Sequence, residues 1–567
     1  MNGGGEVEQL KEKRLEADVL IVGAGGAGIK AAIEVKNQGL NPLVVSKGQF
    51  PTGCVTAIAM GAMLAPFHKD DSVHLHIEET LRGGNYLNNP NLVHLLVTKA
   101  ADRAKELDRY GTDFDKEEKD YKLFPFTGSS VPRGVLANDP YRGGFFRGLV
   151  KEAGRIGITI MDHVMVIDLI KDKNIVVGAI ALEMTTDALL FIQAKSVILA
   201  TGGAGNLYSL TTNPPGVTGD GYALAYRAGA ELADMEFVQT RACMIFPQGM
   251  RGTPPPGDGL VTLGGRFYNG LCERYMGKYH PDKFELVTRA EMAKCAQKEI
   301  MEGRHSPHKG VYGDLSGVPK EQLVKFKGFM ESCAAERFDP TWQPYEWAPG
   351  AHYFMGGIVI NERCETEVEG LYAAGEAQAG TMGANRLAGN ALTETQVFGS
   401  IAGESAAKRA FAVPKIPIPV SEANLITDGL TEILKKDRGF DFLEVKDQIT
   451  QTMSLYAGDF RNEEGLRKAA QVLDKIKEDK LSNVFLGGER SFKRLGALLE
   501  VENLLTVGQM IISAAMMRTE TRGAHNREDH PQLDDVNWLK NIVIRSVNNR
   551  MKLEARPVKK ETGALTK

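Results

Sequence analysis

Ala17-Asp-Val-Leu-Ile-Val22 runs directly into Gly23-Ala-Gly25-Gly-Ala-Gly28, and this join decides the fold. The six residues before the glycines are largely apolar, as in strands that a parallel sheet buries on both faces. The first glycine makes a tight turn, and the second lets backbone approach a pyrophosphate. The third lets helix pack on strand, with the phosphates at the helix N-terminus. A helix of about ten residues and a second strand, Pro42-Leu-Val-Val-Ser46, complete a βαβ unit. G-x-G-x-x-G alone is weak, but the strand before it and the helix after it make Gly23, Gly25, Gly26 and Gly28 a dinucleotide cradle. The acid that holds the ribose in NAD sites is missing at the end of the second strand. Ser46 stands there, followed by Lys47, which argues against NAD.

Composition agrees with this reading. The chain has 62 glycines in 567 residues, where average usage of about 7% gives roughly 40. No three-residue period is present, so collagen is excluded. A 43% hydrophobic content with charges of both signs excludes disorder. The surplus therefore belongs to tight turns and close backbone approaches. With 68 basic and 72 acidic residues the net charge is −4, so nucleic acid is not an expected partner. The cysteines (54, 243, 272, 295, 333 and 364) lie at least 23 residues apart, so no C-x-x-C, iron–sulfur or other metal-ligand spacing exists. Reduced thiols and a cytoplasmic setting follow. The first sixteen residues contain no apolar signal core. The most apolar helical stretch, Leu504–Met517, reads as too short for a bilayer and contains Gln509. No direct membrane span is expected, and a peripheral position would come through partner subunits.

Further strands read at Val164–Ile170, Asn174–Glu183, Ser196–Ala200, Ile358–Asn361 and Gly370–Ala374. Between them, residues 236–345 change character, with Thr253-Pro-Pro-Pro-Gly257, aromatics and charged helices, so the sheet domain is interrupted by an insertion. The proline-rich run 411–419 should be extended. Beyond it apolar residues recur at helical spacing, Asn503–Met517 reads as a long helix, and no strand pattern stands out.

Four segments in fixed order carry a family resemblance. Ala200-Thr-Gly-Gly-Ala-Gly205 follows a strand, Thr218-Gly-Asp-Gly221 opens a helix, and Gly370-Leu-Tyr-Ala-Ala-Gly-Glu376 ends a strand. With the first motif they resemble the FAD domain of the succinate dehydrogenase/fumarate reductase flavoprotein family, which includes L-aspartate oxidase and the adenylylsulfate reductase flavoprotein. His352-Tyr-Phe-Met-Gly-Gly357 is similar to its H-Y-x-M-G-G. Gly383-Ala-Asn-Arg-Leu-Ala-Gly-Asn-Ala-Leu392 is similar to G-x-N-R-L-x-x-N-S-L, and Thr519–Asp529 to E-S-R-G-A-H-x-R-x-D of the C-terminal helical domain.

The resemblance implies an α/β fold: a Rossmann-like FAD-binding domain (1–235 and 346–412) interrupted by an α+β capping domain (236–345). A linker (413–420), a helical domain (421–545) and a tail (546–567) follow. It implies FAD, contacted by the four glycines, Ser46, Lys47, Thr201, Gly202, Gly203, Asp220, Glu376, Asn390 and Leu392. It also implies hydride transfer between FAD and an anionic unsaturated carboxylate, with electrons exchanged through a partner iron–sulfur subunit. His352 and Arg386 would bind one carboxylate. Arg289, in a segment similar to L-x-S-R-D, would move the proton. Arginine is a poor isolated acid, so that role rests on the family, and Arg289 alone reads as a surface ion-pair residue.

Three departures stand out. Where covalent members carry S-H-T-V, this chain has Thr52-Gly-Cys-Val55, so FAD should be non-covalent, with a Cys54 thioether as the lesser option. Q-F-H-P-T-G reads Gln239-Thr-Arg-Ala-Cys-Met244, with Arg241 as either an anion clamp or a core-edge ion pair. The T-E-G-x-R-G-E-G-G loop contracts to Leu260-Val-Thr-Leu-Gly-Gly265, keeping Thr262 as a substrate contact. An adenylylsulfate-reductase-like flavoprotein and a flavin electron conduit without its own substrate are the alternatives.

Overall fold

The computed structural model describes residues 10–59, 62–126, 128–139, 143–256, 260–287, 289–436, 438–487 and 491–560. Of Arg289 and Ala290 only the backbone is described. Strand Lys11–Val22 is central in a seven-stranded sheet, parallel to Pro42–Ser46 on one side and to Ala188–Leu199 on the other. Thr159–Asp162 extends the first edge in parallel. Val164–Asp172 and Ile175–Glu183 continue from Ala188–Leu199 as an antiparallel meander, and Leu371–Ala373 pairs its far end. Val19, Leu20 and Ile21 are fully buried, as a strand covered on both faces requires. The strand begins at Lys11, earlier than its apolar run, because Lys11–Glu16 carries polar side chains outward while its backbone pairs with Ala188–Gln193.

The insertion forms a second body with its own core of Met244, Phe267, Met292, Phe329 and Trp347. Its antiparallel sheet runs in the order Val238–Phe246, Tyr345–Phe354, Val311–Asp314, Arg266–Tyr268. The first two of these strands also join the two bodies, and they carry Gln239, Arg241 and His352.

The C-terminal region packs helices Val420–Lys435, Phe442–Tyr456, Glu463–Lys475 and Phe492–Met517. The last is 26 residues long, eleven more than its apolar spacing suggests. It is the one helix among the described residues long and apolar enough to cross a membrane, and 67% of its most apolar window is buried inside the protein. The expectation of an all-helical C-terminal region is corrected by a hairpin, Lys540–Val547 with Arg550–Pro557. It adds to Leu232–Ala233, and strand runs through the expected start of the tail. Asn548 and Asn549 both have positive φ (51° and 58°), the turn geometry that matches strand twist.

Candidate active site

A cavity of about 1580 Å³ runs from the glycine-rich turn, past the C-terminal ends of the parallel strands, to the capping body. Gly23 has φ +110°, and a Cβ there would lie 2.3 Å from the Ala200 carbonyl oxygen. A Cβ on Gly28 would lie 1.8 Å from the Gly23 oxygen, so the two glycines let strand, turn and helix close on one another. Helix Gly26–Asn37 has no side-chain cap from Gly25, Gly26 N donates to Thr56 Oγ1 at 3.0 Å, and the helix N-terminus faces the cavity. Thr201 Oγ1 and Asn213 Oδ1 are buried at the wall without a hydrogen-bond partner. A helix N-terminus and two orphaned polar atoms in a long, largely apolar cleft fit a dinucleotide cofactor.

Gly23, Gly25, Gly26, Ser46, Lys47, Thr201, Gly202, Asp220, Glu376 and Leu392 all line this cavity. Gly28 stands behind the turn. Gly203 packs where its Cβ would meet Glu376 Oε1 at 2.4 Å. Asn390 opens helix Asn390–Ala412 and is not among the residues lining the cavity. Its side chain is turned away, meeting His76 Nε2 at 3.0 Å and donating to Thr80 Oγ1 at 3.1 Å. Lys47 pairs with Asp220 (2.5 Å) and with Glu500 of the long C-terminal helix (2.8 Å). Burial opposes the charge on Asp220, but Lys47 outweighs it and holds the carboxyl below its ordinary value. Glu500 lies far along the chain from Lys47 and from Asp220, and nothing in its local sequence marks it.

The tether position is closed to a larger residue. A Cβ on Gly53 would sit 2.9 Å from both the nitrogen and the oxygen of Gln49, so no histidine fits without backbone movement. Burial pushes the neighbouring Cys54 thiol up to about 11, leaving little thiolate for a thioether. Acid precipitation of the holoprotein is therefore expected to release its FAD completely. Yellow colour retained in the pellet would contradict this.

At the capping end, His352, Arg386, Arg241 and Thr262 all line the same cavity. Arg386 is 7% exposed, receives its alignment from Gln239 Oε1 (3.0 and 3.2 Å), and lies 4.2 Å over the Tyr353 ring. Thr212 Oγ1 meets His352 Nδ1 at 2.7 Å and fixes the ring. Thr212 is not marked as a site residue by its local sequence, whereas Tyr353 stands inside the H-Y-x-M-G-G-like segment. Arg289 begins helix Arg289–Met301, and its side chain lies outside the described residues. One group of metal-type ligands, His280, Glu291 and Cys295, converges in the capping body with ligand atoms within 4.8 Å, where no metal set is expected from sequence.

Beneath Arg386 lie two buried carboxyls. Burial raises Glu376 to about 7, with the Phe354 N–H and Arg386 acting in the opposite direction. Burial likewise raises Glu394 to about 7; it hydrogen-bonds the Tyr353 hydroxyl. Both hold a proton to higher pH in the fold than unfolded. Their stabilising contribution is present below about pH 4.5 and is lost as pH rises through about 7. Glu394→Gln should therefore flatten the fall in Tm of the holoprotein across about pH 5 to 7. An unchanged slope would refute it.

An FAD binding domain model matches residues 18–392, and a fumarate reductase flavoprotein C-terminal model matches 446–566. The chain belongs to the succinate dehydrogenase/fumarate reductase flavoprotein family. It is an FAD-dependent oxidoreductase. Among its relatives, an uncharacterized FAD-dependent oxidoreductase of Methanocaldococcus jannaschii is 38% identical, covering 94% of this chain and 96% of that one. One subunit of the fumarate reductase (CoM/CoB) from Methanothermobacter marburgensis is 37% identical over 94% of this chain and 98% of that one. The solved E. coli quinol fumarate reductase FrdA superposes with a TM-score of 0.91 at 30% identity, covering 97% of this chain and 98% of that one. The flavoprotein fold, with its FAD-binding, capping and C-terminal helical regions, is thus the family's.

Proposed function

We propose that this flavoprotein reduces an unsaturated carboxylate, as the catalytic subunit of an assembly whose electrons come from an iron–sulfur partner. The observation that carries the reading is the convergence of His352, Arg386 and Arg241 on the cavity that also holds the glycine cradle. FAD, when bound, supplies the hydride.

The chain's residues do the rest. Arg386 offers a planar fork to one carboxylate oxygen pair, aimed by Gln239 and by the Tyr353 face. His352, fixed at Nδ1, shares that carboxylate. Cationic partners on the carboxylate draw electron density from the conjugated double bond, making its far carbon more receptive to hydride. Low exposure at Arg386 and Arg241 strengthens both effects by excluding water. Arg289 delivers the proton at the adjacent carbon, so one hydride and one proton saturate the bond. The partner reading is supported by the Methanothermobacter relative, which is itself one subunit of a fumarate reductase.

Arg289→Ala is expected to abolish acid reduction driven by reduced viologen while flavin content stays normal. Wild-type turnover in that variant would remove Arg289 from the mechanism.

A further inference from the structure

One place in the cleft lacks its usual side chain. In a βαβ dinucleotide site an acid near the end of the second strand accepts the ribose hydroxyls of the adenosine, and here Ser46 stands there. A carboxylate nevertheless lies close by, brought from the C-terminal region. Lys493, Gly496, Ala497 and Glu500 all line the cavity, and their spacing places them on one face of helix Phe492–Met517. Met165 and Met184 line it on the sheet side, each with its sulfur 3.3 Å from a would-be Cβ of Gly496. Glycine and alanine between the two charged residues keep this face of the helix flat and apolar, as a planar base requires.

Glu500 closes that end. Its Oε1 meets the ammonium of Lys47, the residue after Ser46, at 2.8 Å. Its Oε2 lies 3.9 Å from Lys446 Nζ, too far for a hydrogen bond. Asp220 is the other acid here, and three donors already hold its oxygens. Thr218 Oγ1 and Asn503 Nδ2 donate to Oδ1, both at 2.9 Å, and Lys47 donates to Oδ2. Asn503 stands one turn beyond Glu500 on the same helix, so its bond to Asp220 fixes the Glu500 carboxylate against the cleft. The Glu500 side chain is 16% exposed, which shields a bond made there from water.

We infer that Glu500 holds the adenosine ribose of FAD, in place of the acid that the second strand lacks. The cofactor is then gripped from two sides, by the glycine cradle and by the C-terminal helix. The inference rests on FAD occupying this cavity and is independent of which acid the flavin reduces.

The test strips the full chain of its flavin and titrates it calorimetrically with ADP and with 2′,3′-dideoxy-ADP, which lacks both ribose hydroxyls. ADP should bind about 10- to 100-fold more tightly, the worth of one hydrogen bond to a charged acceptor. Glu500→Ala should bring that ratio close to one, and Glu500→Gln, a neutral acceptor, should leave it in between. Loss of the Lys47 pair weakens both nucleotides alike and cancels in the ratio. Circular dichroism reports folding, and the more conservative glutamine variant carries the test alone if the alanine variant does not fold. A wild type with no preference for ADP, or a preference unmoved in the folded variants, overturns the inference. Either result leaves the reductase reading standing.

Discussion

Arg386→Gln should lower kcat/KM for the unsaturated acid by about 100- to 1000-fold, the usual loss when one preorganised donor to developing charge is removed. Flavin should remain bound, because the side chain lies at the capping end and not in the glycine cradle. Glutamine can still reach toward Gln239 but offers no fork and no charge. The effect should fall on kcat as well as KM, since the cation both holds the carboxylate and polarises the double bond. There is also a signature that simple loss of packing would not produce. Arg386 is the cation that opposes protonation of Glu376 and Glu394, so its loss should push both carboxyls further up. The pH range over which Tm falls should move alkaline accordingly. A fall of less than about threefold would mean that the carboxylate sits elsewhere.

Gly23→Ala should yield colourless protein. Two causes act together at this residue. Its φ of +110° is strained for any L side chain, and the new Cβ would meet the Ala200 carbonyl oxygen at 2.3 Å and its carbon at 2.8 Å. Both obstacles are backbone, so no side chain can swing aside. The turn must move away from the strand, although Gly23 N is bonded to Val45 O and Ala200 N to Val22 O, each at 2.9 Å. Strain of this kind costs about 1 to 3 kcal/mol, and it falls on the segment that holds the pyrophosphate. Gly39→Ala is the control. Gly39 also has positive φ (+85°), but nothing lies within 4 Å of its would-be Cβ. That variant should lose some stability and keep its FAD. FAD bound to Gly23→Ala at wild-type stoichiometry would contradict the proposed cradle.

Periodicity and turn chemistry reach far in this chain, but not everywhere. Pro42–Ser46 is a strand with the expected ends, since it is buried throughout and every side chain is apolar or small. The first half of Lys11–Val22 is not legible, because its edge-facing residues are lysine, arginine and glutamate, and only its pairing makes it a strand. The C-terminal hairpin hides in the same way, behind alternating charged residues such as Arg545, Lys552 and Glu554, although the Asn548-Asn549 pair is a turn signal.

At the site, glycines and motif arginines can be read because their spacing is local. Their supports cannot. Thr212 meets His352 across 140 residues and Gln239 meets Arg386 across 147. The motif assigns Asn390 to the cofactor, yet its amide is used on His76 and Thr80. A motif specifies the backbone path past the flavin, while each side chain's direction depends on which distant partner the fold brings near.

Reduced flavin in this chain is expected to hand its hydride directly to an unsaturated acid. This is tested by reducing the FAD of the isolated protein anaerobically, removing excess reductant, and mixing with one unsaturated acid in excess. The oxidised flavin spectrum is expected to return in a single phase, with one equivalent of saturated acid formed per flavin. Flavin that stays reduced with every acid, and reoxidises only when a one-electron acceptor is added, would contradict it.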